Sequence, residues 1–413
     1  MMTAQGETRP APARRAQGGR PALLSYGFRP FFLFGALYGG LIILAWLPIR
    51  DGTVGTASAF MPVDWHIHET LFGYLAAIVA GFLLTAIPNW TGRLPVQGAP
   101  LLGLLLLWVA GRVAVFFSAW TGWLAAAVID SLFLAAVAAA AAAEIVAGKN
   151  WRNLKILVPV AVFLLANVLF HVEAAVDGAS DYSRRLATAA AIVLILIIGG
   201  RIIPSFTRNW LARENPGRLP VPFNGFDKFC ILLSVAALSL WTLMPESGAA
   251  GLLLIAAGGL NLARLVRWAG DRARRGALVL ILHIAYLFVP AGLLLAGLSA
   301  LDPARFPPVA ALHALGVGAI GVMTLAVMTR AALGHTGREL RADTATQLIY
   351  AAIVLAALSR IAAGFMPESV SLLHVSATLW TLAFLGYCAR YGGMLLQPQL
   401  KPREPNRAAK PAG

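Results

Sequence analysis

The residues best suited to chemistry are histidines. Trp65-His66-Ile67-His68-Glu69 stands at the mouth of an apolar run, Leu71 to Ile87, which closes with Pro88-Asn89-Trp90-Thr91-Gly92-Arg93. A neutral imidazole offers a lone pair near physiological pH, and two of them at i, i+2 can serve two different centres. Of the seven histidines, His66, His68, His171, His313 and His374 fall at the same end of the second, fifth, tenth and twelfth membrane-length runs. His283 lies in the opposite half of its run and His335 in a loop. Imidazole is costly in hydrocarbon, and helix packing does not call for it. A layer of imidazoles from several helices is what a haem needs for two axial ligands and copper for two or three nitrogens. The bland counterpart is a set of unrelated interfacial histidines wetted by headgroups. Arg112 and Asp130 sit at similar depth in neighbouring runs and are the obvious ion pair, since an intramembrane charge costs at least ~2.5 kcal/mol. Arg112 and Arg360 also lie on the histidine side, where anionic haem propionates would require guanidinium groups. A plain strut between helices is the other role open to Arg112.

The elements that must position these groups are transmembrane helices. The chain of 413 residues is 59% hydrophobic and 12% charged, with mean hydropathy +0.75, whereas a soluble globule carries about 25% charge. Runs long enough to span ~30 Å of hydrocarbon recur at 31–49, 68–88, 100–118, 122–146, 155–176, 187–204, 227–244, 249–266, 277–298, 309–329, 346–363 and 370–394. The expectation is an all-α integral membrane fold of twelve helices over residues 25–397. Disordered cytoplasmic tails are expected at 1–24 and 398–413, the first being Ala, Pro, Arg and Gly without the apolar core of a signal peptide. The net charge of +15 is topological. With a cytoplasmic N-terminus, every Lys and Arg falls in tails, cytoplasmic loops and cytoplasmic helix ends except Arg50, Arg184, Arg185, Arg305 and the intramembrane Arg112 and Arg360. That asymmetry predicts N-in, C-in topology and excludes nucleic acid as the partner. Cys230 and Cys388 fall toward the cytoplasmic side, so no disulfide is expected.

An offset of 245 residues lays His68 on His313, Gly73 on Gly318 and Thr91-Gly92-Arg93 on Thr336-Gly337-Arg338. Ile203-Pro204-Ser205-Phe206-Thr207 in the sixth span repeats the pattern of Ile87-Pro88-Asn89-Trp90-Thr91 in the second. Spans 2, 6 and 10 are four apart, which predicts three parallel four-helix units rather than an inverted repeat. Arg201 and Arg330, with Asn89 and Trp90, could line a polar path at the inner face or anchor it to headgroups.

Leu24-Ser25-Tyr26-Gly27-Phe28-Arg29-Pro30-Phe31-Phe32, Trp65-His66-Ile67-His68-Glu69, Ile87-Pro88-Asn89-Trp90-Thr91-Gly92 and Arg201-Ile202-Ile203-Pro204-Ser205-Phe206-Thr207-Arg208-Asn209-Trp210, with the helix after His313, resemble NnrS proteins. The resemblance covers about residues 22–397 and implies a twelve-span protein of the bacterial inner membrane. It also implies association with haem and copper, and a response to nitric oxide in a denitrifying or nitric-oxide-exposed cell. More distantly, the repeat is similar to the catalytic subunit of haem-copper oxidases and nitric oxide reductases, whose second and tenth helices supply the axial pair of the low-spin haem. Carried over, that makes His68 and His313 the candidate axial ligands. Spans 6 and 7 here lack histidine, so an oxidase-type binuclear centre is not expected, and a second centre would draw on His66, His171 and His374. The leading function is a haem and copper protein that binds or processes nitric oxide and limits nitrosative stress, with metal near the outer face and an electron donor that the residues do not name. The alternatives are a secondary transporter of twelve spans and a non-catalytic haem-binding sensor or protector of metal centres.

Overall fold

In the computed structural model, which describes residues 21–400, every regular element is a helix. Twelve are long and apolar enough to cross a membrane: α1 (Phe28–Arg50), α2 (Pro62–Thr91), α3 (Ala99–Phe116), α4 (Trp123–Ala147), α5 (Trp151–Val176), α6 (Asp181–Glu214), α7 (Gly225–Leu243), α8 (Gly248–Val266), α9 (Ala277–Leu301), α10 (Pro308–His335), α11 (Thr344–Phe365) and α12 (Val370–Leu396). The chain is therefore a multi-pass membrane protein, as its hydropathy predicts. Consecutive helices pack on one another and α12 packs on α1, which closes the bundle. Twelve crossings bring the first and last helix ends to one side, called here the terminal end.

The sequence places every span, yet it shortens α2, α6 and α10, which run to 30, 34 and 28 residues, well past the ~20 that a bilayer requires. With α9, at 67%, these are also the most buried helices, with 78%, 61% and 67% of their apolar stretch buried against 33% for α4. Their polar ends continue as helix past the hydrocarbon, buried at Asp64 and Trp65 of α2 and exposed over Arg208, Asn209, Arg213 and Glu214 of α6. Residues 22–24, assigned to the N-terminal tail from composition, form a short 3-10 turn with Ala22 buried. Of the expected C-terminal tail, residues 398–400 are described and the Leu400 N–H donates to the Thr336 carbonyl at 3.0 Å; residues 1–20 and 401–413 lie outside the described part.

Two local irregularities follow the sequence repeat. The α-helical turns of α2 widen into a π-helix over Glu69–Leu75, and those of α10 do so over Ala314–Gly321. Each widening starts on the residue after a repeat histidine, His68 or His313. Such turns place one extra residue in the helix and recur at functional sites. Gly92 and Gly337 adopt φ of +71° and +76° just past the ends of α2 and α10, the left-handed conformation that stops a helix and that a Cβ disfavours.

Away from the histidines, the buried charges are tied down by short links. Arg29 donates to the carbonyls of Leu395 and Gln397 at 2.8 and 2.6 Å, occupying acceptors that the end of α12 leaves open. Arg264 donates to Asp227 Oδ1 at 2.9 Å and to the Tyr286 hydroxyl at 3.0 Å, where α7, α8 and α9 meet. Cys230 and Cys388 are free thiols, each donating to a backbone carbonyl at 3.7 Å, and no disulfide joins them.

Candidate metal centre

On α2, His66 and His68 are two residues apart, about 200° around a helix of 3.6 residues per turn, so they face opposite ways. His68 turns toward α4 and α5. Its ring packs on Phe60, Phe72, Phe170 and His171, with centroids 4.9 to 5.2 Å away. His66 turns toward α1 and stacks on Trp46 at 4.5 Å with 13° between planes.

Around His68 the structure gathers a buried polar group from five helices. Asp130 from α4 is its centre. Asn167 Nδ2 donates to Asp130 Oδ2 at 2.8 Å, and His171 Nε2 lies 3.1 Å from the same oxygen. Arg112 from α3 donates to Asp130 Oδ1, the pair that the charge pattern predicts, and to Glu69 Oε1 at 2.6 Å. Tyr38 from α1 donates to Glu69 Oε2. Sequence reading missed Glu69 as a member. Its adjacency to His68 was visible, but an acidic residue at a helix mouth reads as a solvated end group until the widened turn is known to fold it inward.

Two glycines make the approach feasible. A Cβ on Gly111 would fall 2.9 Å from Asp130 Oδ1, and one on Gly73 would fall 2.9 Å from both Arg112 Nη1 and Glu69 Oε2. The Trp108 indole donates to the Gly73 carbonyl at 2.9 Å inside the widened turn, supplying a partner where the regular helical ladder is interrupted.

The hydrogen-bond accounting at His68 is unusual. Nδ1 lies 2.9 Å from Glu69 Oε1, while Nε2 lies 3.1 Å from Asn167 Oδ1 and 3.2 Å from Asp130 Oδ2. All of these neighbours are acceptors. A neutral imidazole carries one N–H, so with Nδ1–H donated to Glu69 the lone pair on Nε2 faces oxygen lone pairs. Either a second proton or a cation must lie there. His68, Asp130 and His171 each turn one ligand atom to a common point, the three atoms lying within 4.8 Å of one another, and all three residues are buried. With neutral imidazoles the formal charges of Arg112, Glu69 and Asp130 leave one negative charge.

The other expected ligands lie apart from this group. His313, at the head of α10, has Nδ1 2.7 Å from the Val309 carbonyl and lies within electrostatic reach of His66 and Arg360. His66 Nδ1 is buried without a hydrogen-bond partner. Thus His313 shares its surroundings with His66 rather than with the Asp130 group that holds His68. Arg360 has no carboxylate partner among the described residues. His374 is exposed and within reach of Asp51. Asp51 is held below the ordinary carboxylate value by the backbone N–H and hydroxyl of Thr53. His283, in the other half, sits 2.8 Å from the Thr207 hydroxyl, a packing contact.

A multi-pass membrane protein with a buried His, His, Asp group between its second, fourth and fifth helices is the class that fold and site define. The family model described as NnrS protein matches residues 22–399, and the chain belongs to that family. Membership makes it a membrane protein of the nitric oxide response. No curated protein matches the chain.

Proposed function

We propose that this protein binds or processes nitric oxide in the bacterial inner membrane and limits nitrosative stress, using copper held by His68, His171 and Asp130. The crowding of acceptors on His68 supports this reading, because a cation at the shared point replaces lone-pair repulsion by coordination. Two imidazoles and a carboxylate fit a first-row transition metal and leave positions open. A monovalent ion would neutralise the group, and Cu(I) is such an ion. When bound, the metal supplies an open coordination position and a one-electron couple for the gas. The chain's own residues do the rest. Glu69 accepts from Nδ1 of His68 and so turns Nε2 inward, while Asn167 and Arg112 hold the two oxygens of Asp130 in place, the outer-shell support that fixes a metal site.

Haem fits the second group better than the first. His68 has both ring nitrogens committed to the Asp130 group, whereas the orphaned Nδ1 of half-buried His66, the Nε2 side of His313, and Arg360, without a carboxylate partner among the described residues, would offer two imidazole nitrogens to a haem iron and a guanidinium to a propionate. His66 and His313 would then hold the iron, with Arg360 on a propionate.

Metal analysis of the purified protein, with optical and electron-paramagnetic-resonance spectra, tests this. Copper that is present at stoichiometry, lost in His171→Ala and retained in His66→Ala supports the first assignment. Absence of both metal and Soret absorption overturns the proposal. Consumption of nitric oxide under a reductant separates turnover from the sensor or protector role. The transporter reading draws support from a cavity among α2, α6 and α10, and metal-independent uptake into proteoliposomes would favour it.

A further inference from the structure

The repeated motif at the terminal ends of α2, α6 and α10 plays no part in the metal group. Asn89 and Trp90 of α2, Arg201 and Ser205 of α6, and Arg330 of α10 instead line a cavity of about 490 Å³ between these three helices. Among the described residues no acidic side chain lines it. Arg330 lies with its guanidinium carbon 3.8 Å above the Phe206 ring and has no carboxylate partner among the described residues. Arg201 donates to Asn153 Oδ1 at 3.0 Å, a neutral acceptor. Exposed Arg201 and half-buried Arg330 therefore border one cavity with no carboxylate facing either guanidinium among the described residues. The rest of the wall is apolar, with Phe32, Phe82 and Val327 among its residues. Phe82, Ile198, Ile202 and Val327 also border a narrower space of about 90 Å³. That space reaches up between the helices to Leu75, Leu194 and Met323 and is lined almost wholly by carbon.

We propose that this cavity binds an amphipathic anion, a carboxylate or phosphate head on a linear apolar chain, with the head on Arg330 and Arg201 and the chain in the narrow apolar space. Guanidinium groups match both heads by paired, charge-assisted hydrogen bonds. The apolar extension explains why a small inorganic anion would fill only the mouth. The head group has two sources, a phospholipid of the bilayer and a free fatty acid, and they differ in tail number and head chemistry.

The test is native mass spectrometry of the full-length protein in detergent, titrated with oleate, phosphatidylglycerol, phosphatidylcholine and inorganic phosphate. Saturable binding of oleate or phosphatidylglycerol, at least tenfold tighter than phosphatidylcholine and phosphate, is the expected result, and the tighter of the two identifies the source. Arg330→Gln should weaken it tenfold or more, Arg330→Lys less, and Arg201→Gln with Arg330→Gln together should abolish it. Val327→Phe, which leaves both cations in place, should weaken oleate without changing phosphate. Equal binding of phosphatidylcholine overturns the anion, equal binding of phosphate overturns the chain, and full affinity in the double arginine variant overturns the site. Unchanged metal content in each variant reports that the bundle is folded.

Discussion

Asp130→Asn is the most informative single change, because the carboxylate accepts from Arg112 and Asn167 and lies within 3.2 Å of His68 and His171. The amide keeps the shape and removes the charge. Breaking a buried ion pair from one side costs about 3–5 kcal/mol, and Arg112 keeps Glu69 at 2.6 Å, so the expectation is about 3 kcal/mol, the low end. Titrating the protein with dodecyl sulfate in mixed micelles and following helix content measures that loss. A second arm separates a metal site from a neutral network in which His68 simply carries two protons. A ligand that binds only the folded state stabilises it by RT ln(1 + [L]/Kd), about 2.7 kcal/mol at a hundredfold excess over Kd. Copper added under reducing conditions should stabilise the wild type and leave Asp130→Asn unmoved. Equal copper stabilisation of both proteins would refute the ligand assignment, and an unfolding midpoint unchanged by the substitution would refute the energetic reasoning.

Gly73→Ala forces Tyr38, Arg112 and Glu69 apart, since its Cβ would lie 2.7 to 2.9 Å from them. It should cost about 1–3 kcal/mol, the range for overpacking, and lower copper occupancy in metal analysis. His66→Ala should remove any haem Soret band while sparing copper, and His68→Ala should do the reverse; spectra and metal ratios of the two variants check this. Asp343, the cap of α11, accepts from the hydroxyl and backbone N–H of Thr346 and pairs with Arg390. These contacts, Thr346 first, hold its carboxyl at about 2. Because that lies below the unfolded value of about 3.9, its contribution is complete above that value and is lost as pH falls through about 2. Asp343→Ala should cost about 1 kcal/mol near neutral pH, the usual worth of such a cap, and its deficit in thermal midpoint should shrink in acid.

Legibility from sequence was uneven for physical reasons. Hydropathy reports how much of a helix lies in hydrocarbon, so it located every span. It cannot report polar turns that carry a helix on past the hydrocarbon, so the ends of α2, α6 and α10 were cut short. Arg112 with Asp130 was readable, since two opposite charges at one depth have few other partners in a bilayer. Glu69 and Asn167 were not readable as one group with them, because membership depends on how each helix is rotated. His66 and His68 were readable as serving two sides, but which histidine faces His313 was not. The analogy with oxidase helices favoured His68, whereas the structure places His66 in the neighbourhood of His313.

That rotation is where the widened turns matter. A regular α-helix advances about 100° per residue, and the extra residue of a π-turn shifts the register of everything beyond it. In α2 the shift begins at Glu69. The histidines on one side of it are therefore oriented independently of the cavity-lining Asn89 and Trp90 on the other. The matching shift in α10 begins at Ala314 and separates His313 from Arg330 in the same way. One pair of helices can thus present imidazoles at one end and a cation-lined cavity at the other, each with its own facing. Restoring regular geometry by deleting one residue within Glu69–Leu75 should rotate one end against the other. It should disrupt either metal content or anion binding, whichever end is displaced, while the remaining end keeps its ligand; loss of neither function would mean that the widened turn orients nothing.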